Sequence, residues 1–140
     1  MTSWLLDTGP LVSYLNRRDP DHHRVAEKLE PFRGGLVTSA AVVTETMYFL
    51  ARHLDGPTLV AQFLASSRTR VYGLGRPAQV GAAAELMGRY NNLPMDYADA
   101  TLLLLADQLE LTDVLTLDAR GFAAYRTPNG TSLRQVLQLS

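Results

Sequence analysis

No cysteine occurs in the chain, which removes disulfide frameworks, thiolate zinc sites and cysteine nucleophiles together. Lysine is almost missing too. Lys28 stands alone, and the other basic residues are arginines, whose guanidinium presents two donors at once to a phosphate, although such a bias equally reflects genome composition. Acidic and basic residues nearly cancel at a formal charge of -1, so there is no global basic field and any nucleic-acid contact must be local. Long apolar runs are absent as well. The longest, Ala100 to Ala106, is interrupted by Thr101 and is far too short to span a bilayer. Met1 to Leu6 holds no charged leader followed by a long apolar stretch, so no signal peptide is expected and the chain leans cytoplasmic, without membrane association.

The chain does have the composition of a folded domain, 46% apolar and 19% charged over 140 residues, and residues 1–140 read as a single domain able to bury its own core. A strand-then-helix rhythm runs along it. Trp4 to Leu6 is a short buried strand, and Gly9-Pro10 restarts the chain into a helix carrying Leu11, Val12 and Leu15. A second helix follows from His22 to Phe32. Leu36-Val37-Thr38 is a second strand, with Ser39 as N-cap of a helix over 40–53 that contains Glu45. Another helix spans about Thr58 to Ser66, Arg70-Val71-Tyr72 is a third strand, and Pro77 to Tyr90 is helical by intrinsic propensity. Asp96 opens the most apolar helix, to about Leu109. Val114 to Leu117 is a fourth strand, Gly121 to Tyr125 a short helical turn, and the tail from Thr127 onward carries no assignable element. Helices between strands imply right-handed crossovers and an α/β fold, a parallel sheet of four to five strands with helices on both faces.

Five acids stand out against this core: Asp7, Glu45, Asp96, Asp99 and Asp118. Asp7 and Asp118 directly follow strands, the edge of a parallel sheet where ligands bind. Each acid has a structural explanation of its own. Asp96 and Asp7 suit helix caps, Glu45 an exposed helix face, and Asp118 a turn or an ion pair with Arg120. Asp99 fits such an explanation least, because its apolar surroundings offer no obvious solvated face. Converging carboxylates repel unless a cation lies between them. Oxygen-only donors suit Mg²⁺ or Mn²⁺ rather than zinc, and two such cations about 4 Å apart support phosphodiester cleavage in many nucleases. His22, His23 and His53 lie in helical or linker contexts and read as surface residues.

The strings Leu5-Leu6-Asp7-Thr8-Gly9-Pro10-Leu11, Val43-Thr44-Glu45, Met95-Asp96-Tyr97-Ala98-Asp99-Ala100-Thr101-Leu102 and Leu115-Thr116-Leu117-Asp118 resemble the PIN-domain family in order and spacing, and at this size the VapC-type ribonuclease toxins. The resemblance implies a Mg²⁺- or Mn²⁺-dependent endoribonuclease acting on RNA, homodimerisation and a cognate antitoxin. It places the four family acids on Asp7, Glu45, Asp99 and Asp118, with Asp96 as an additional metal ligand and Thr8 and Thr116 as hydroxyl supports. Arg17, Arg18, Arg120 and Arg126, in or near loops around the same edge, are candidates for contacts to flanking phosphates.

Other readings compete. Asp7-Thr8-Gly9 spells the aspartic-protease triplet, but that chemistry needs a second apposed carboxylate and β-rich lobes. A phospho-acceptor signalling domain needs a lysine near a later strand end, and Lys28 lies in an early helix. A stand-alone PIN nuclease of RNA processing and a noncatalytic binding module both keep the fold. Tyr48, Phe49 and Phe63 on early helices would suit a groove or dimer face if exposed, and core if not.

Overall fold

A computed structural model describes residues 2–139 of the protein. In chain order the elements are β1 (Ser3–Leu6), α1 (Thr8–Leu15), α2 (His22–Leu29), β2 (Gly35–Ser39), α3 (Ala40–Leu50), α4 (Gly56–Ser66), β3 (Arg70–Tyr72), α5 (Pro77–Arg89), α6 (Tyr97–Leu109), β4 (Asp113–Leu115), α7 (Ala119–Ala124) and β5 (Arg134–Gln135), with a closing 3₁₀ turn at Val136–Gln138. The strands form one parallel sheet in the order β3-β2-β1-β4-β5. Strand order reverses beside β1, because the chain first adds β2 and β3 on one side and later β4 and β5 on the other.

Successive strand residues face opposite sides of a sheet, and the core divides accordingly. Leu5, Val37 and Val114 pack with α5, α6 and α7 residues such as Ala83, Leu102 and Phe122. Their neighbours Trp4, Leu6, Leu36 and Leu115 pack on the other face with Leu11, Val25 and Leu29 of α1 and α2. Strands buried on both faces explain the near-continuous apolar runs seen in the sequence. Each fully buried leucine there contributes about 1.5–3 kcal/mol from apolar burial.

Several boundaries differ from the sequence expectation. β4 stops at Leu115, not Leu117. Beyond Leu115 there is no neighbouring strand to pair with: the Leu115 carbonyl accepts from Asp7 N, where β1 has already ended and α1 begins. The helix expected over 40–53 ends at Leu50, and α4 starts at Gly56 after a left-handed Asp55. Gly56 is required there, since a Cβ would lie 2.0 Å from the Leu50 carbonyl oxygen. The unassigned tail supplies β5, too short to carry a pattern of its own, and Arg134 holds it to the sheet through a bidentate pair with Asp113 at 2.8 and 2.9 Å. None of the described helices is long and apolar enough to cross a membrane.

Candidate active site

The carboxyl ends of β1 and β4 flank the point where strand order reverses, the place where open parallel sheets bind ligands. Asp7 stands there as the N-cap of α1. Its Oδ1 accepts from Thr8 N at 2.8 Å and its Oδ2 from the Thr116 hydroxyl at 2.7 Å. Thr116 Oγ1 in turn accepts from Asp118 N at 3.0 Å, so one hydroxyl ties the first acid to the segment carrying the last.

Asp96 and Asp99 cap α6 reciprocally. Asp99 N donates to Asp96 Oδ1 at 2.8 Å, and Asp96 N donates to Asp99 Oδ2 at 3.2 Å. This is a capping box with aspartate at both positions. Asp118 caps α7, accepting from Gly121 N at 3.0 Å. The carboxylate folds so closely onto the helix that a Cβ on Gly121 would lie 2.2 Å from Asp118 Oδ2. Asp96, Asp99 and Asp118 therefore each commit one oxygen to a cap and keep the other uncommitted to the backbone.

Glu45 enters from α3. The start of that helix is fixed by Ser39, whose Oγ accepts from Val42 N at 3.2 Å and lies 2.8 Å from Thr101 Oγ1 of α6. Thr101 gives its own hydrogen to Ala98 O at 2.6 Å, so Ser39 is the donor of that link. It ties the helix bearing Glu45 to the helix bearing Asp99.

All five acids line one cavity of about 700 Å³, together with Thr8, Gly9, Phe49, Leu93 and Leu117. Desolvation is costly there. Burial raises the Asp7 carboxyl to about 6, against the opposing hydrogen bonds from Thr116 and Thr8 and with some help from Asp96 and Glu45. Burial, then the charges of Asp7 and Asp96, push Asp99 up to about 8. Glu45 is raised too, chiefly by burial and then by Asp96. Asp7, Glu45 and Asp99 thus sit in a crowded negative cup and resist ionising together.

Among the described residues, no three acidic or histidine side chains are gathered tightly enough to bind an ion as they stand. Asp96, Asp99 and Asp118 each give one carboxylate oxygen to a helix cap, which leaves the other available to a cation. The donor chemistry nonetheless suits a hard cation: oxygen atoms only, with Thr8 Oγ1 buried in the same wall without a hydrogen-bond partner. That hydroxyl lies near enough to Glu45 to favour its charged form, without closing a bond of normal geometry.

The candidate arginines do not join them. Arg17 and Arg18 line a separate depression with Leu50, His53 and Leu54. Arg120 is exposed on α7. Arg126 spends its Nη1 on the carbonyls of Ala123, Ala124 and Tyr125, capping the end of α7. His23 and His53 are exposed as expected, whereas His22 is half-buried, its Nδ1 3.0 Å from Ser13 O. Lys28 contacts Leu139 O, away from the cavity. Asp7-Thr8-Gly9 opens a helix, not a β-rich lobe.

Three supports escaped the sequence reading. Thr101 lies two residues after Asp99, with no pattern marking its buried bond to Ser39. Tyr125 is buried under α7 and donates to Leu93 O at 3.4 Å, bracing the cavity wall. Burial and the charges of Asp99, Asp118, Asp96 and Asp7 raise its phenol, so it stays protonated. Gly121 could have been suspected from its spacing three residues after Asp118, the reach of an N-cap.

Comparison with known proteins identifies relatives of the whole fold. Ribonuclease VapC26 of Mycobacterium tuberculosis is 32% identical over 128 residues, covering 90% of this chain and 94% of the relative. The solved VapC20 of Mycobacterium tuberculosis, described as a toxin cleaving the sarcin-ricin loop, superposes with a TM-score of 0.76 at 20% identity, over 86% of this chain and 93% of that one. DNA-bound VapBC from Salmonella typhimurium superposes with a TM-score of 0.64 at 20% identity, over 97% and 99%. The family model described as PIN domain matches residues 4–127. With the family model matched over residues 4–127 and a relative 32% identical across 90% of its length, the chain belongs to the PIN-domain family.

Proposed function

We propose that the protein is an endoribonuclease that cuts RNA phosphodiester bonds with Mg²⁺ or Mn²⁺, and that it is the toxin of a toxin–antitoxin pair. The observation that carries this reading is the gathering of Asp7, Glu45, Asp96, Asp99 and Asp118, from separate segments, around one cavity at the sheet's reversal point. A divalent cation there supplies activation of water and neutralisation of phosphate charge. The carboxylates hold it, Asp7, Glu45, Asp99 and Asp118 foremost, with Asp96 as a further ligand. Thr116 orients Asp7 by donating to its Oδ2, leaving that carboxylate charged at lower pH than burial alone would allow. Tyr125 steadies the Leu93 side of the cavity.

The likeness to ribonuclease VapC26 supports RNA as substrate, and that to VapBC supports an antitoxin partner; a homodimer belongs to the same reading. A cytoplasmic location and a single domain are part of the same reading. A solitary RNA-processing nuclease would share the site and differ in having no antitoxin. Incubating total RNA with the purified protein and Mn²⁺, with and without excess chelator, tests the activity: cleavage only in the absence of chelator is expected, and no cleavage under either condition contradicts it.

A further inference from the structure

We propose that Phe49 is a nucleobase-stacking residue that grips a base beside the phosphodiester to be cut; this rests on the ribonuclease reading above. Seven carboxylates line the cavity, and no lysine or arginine does. The usual source of affinity for a nucleic-acid backbone, basic side chains paired with phosphates, is therefore missing from this wall. Neutralised acids can tolerate the phosphate, but something else must hold the nucleotide.

Phe49 is the aromatic residue in that wall. It is 53% exposed, although phenylalanine is ordinarily among the most buried residues. It follows Glu45 by four positions on α3, so the two share a helix face about one turn, roughly 5.4 Å, apart. That spacing puts the Phe49 ring within reach of the base of a nucleotide whose phosphate faces Glu45. Tyr48, 77% exposed, supports the ring from the side, with centroids 5.6 Å apart and planes 68° from parallel. Leu93 and Pro94 add apolar surface to the same cavity. Stacking on an aromatic face accepts any base and needs no positive charge.

The test uses a short single-stranded RNA with Mn²⁺. Phe49→Ala is expected to raise KM roughly ten- to a hundredfold, the usual loss of one base–aromatic stack, with kcat little changed. Phe49→Tyr is expected to restore what Phe49→Ala loses. An otherwise identical RNA lacking the base beside the cut should weaken the native protein by the same factor and Phe49→Ala no further. Phe49→Trp adds a readout independent of cleavage: quenching of its fluorescence by the intact RNA, not by the abasic one, against buried Trp4, which stacks on Phe32.

Native cleavage with an unchanged KM in Phe49→Ala overturns the stack and leaves the nuclease standing. Base-dependent quenching without any cleavage supports the stack and removes the nuclease. An altered sedimentation coefficient of Phe49→Ala with unchanged RNA affinity assigns the ring to a protein interface and overturns the proposal.

Discussion

Thr116 and Asp7, 109 positions apart in sequence, are joined by a buried hydrogen bond of 2.7 Å from hydroxyl to carboxylate. The bond opposes the burial that otherwise lifts the Asp7 carboxyl, and the same hydroxyl holds the backbone leading into Asp118. Thr116→Val keeps the shape and removes both functions. Cleavage is expected to fall roughly 10- to 100-fold, as for other residues that orient metal ligands. Asp7 then rises further above about 6, so the acid limb of the pH–rate profile should move to higher pH. A profile at its original position would show that Thr116 matters only for packing.

Asp99 gives a stability test free of RNA. Its carboxyl is raised to about 8 in the fold, so the folded state holds this proton more tightly than the unfolded chain. Stability is then lost as pH climbs from about 4 through about 8, and the penalty is fully present above that. Asp99→Asn cannot ionise. With chelator present, it should match the native protein near pH 4 and exceed it at pH 8 by about 1–2 kcal/mol, several degrees in Tm. Parallel melting profiles across that range would contradict the crowding of charge.

Divalent cations should reverse that penalty. Mn²⁺ is expected to raise the Tm of the native protein more at pH 8 than at pH 5, because ligands must be deprotonated to bind. The increment should be absent in Asp7→Asn. Equal stabilisation of both proteins, measured by differential scanning calorimetry, would move cation binding elsewhere.

Gly121→Ala runs against ordinary helix propensity. Alanine usually stabilises a helix interior by about 1 kcal/mol relative to glycine. Here its Cβ would lie 2.2 Å from Asp118 Oδ2, displacing the cap. The variant is expected to be less stable by about 1 kcal/mol or more, the usual worth of an N-cap, and slower in cleavage. A stabilised, fully active variant would remove Asp118 from the account.

The strand–helix order and the five acids were legible because each has a local signature. Runs of three or four residues, apolar save for Thr38 and Thr116, marked β1, β2 and β4, and aspartates directly after two of these expected strands marked the sheet edge. Ser39 was legible as a cap for the same reason. What the sequence could not carry was relational. The end of β4 at Leu115 depends on where β1 stops, and β5 is defined by its pairing with β4, to which Arg134 adds its bond to Asp113. Arg126 sits near the expected edge by sequence, yet its guanidinium turns inward to the end of α7. Likewise Thr101 and Tyr125 gain their roles from residues distant in sequence, which no spacing announces.

The central claim is that carboxylates from separate segments act as one cation-dependent catalytic group, and Mn²⁺-dependent cleavage of RNA by Asp7→Asn, Asp99→Asn and the native protein tests it most directly. Both variants keep an oxygen able to accept a hydrogen bond in their caps, so circular dichroism should report native folding. The account predicts activity reduced at least about a thousandfold in each, since removing one member disables a unit that works together. Native rates in both folded variants would contradict it.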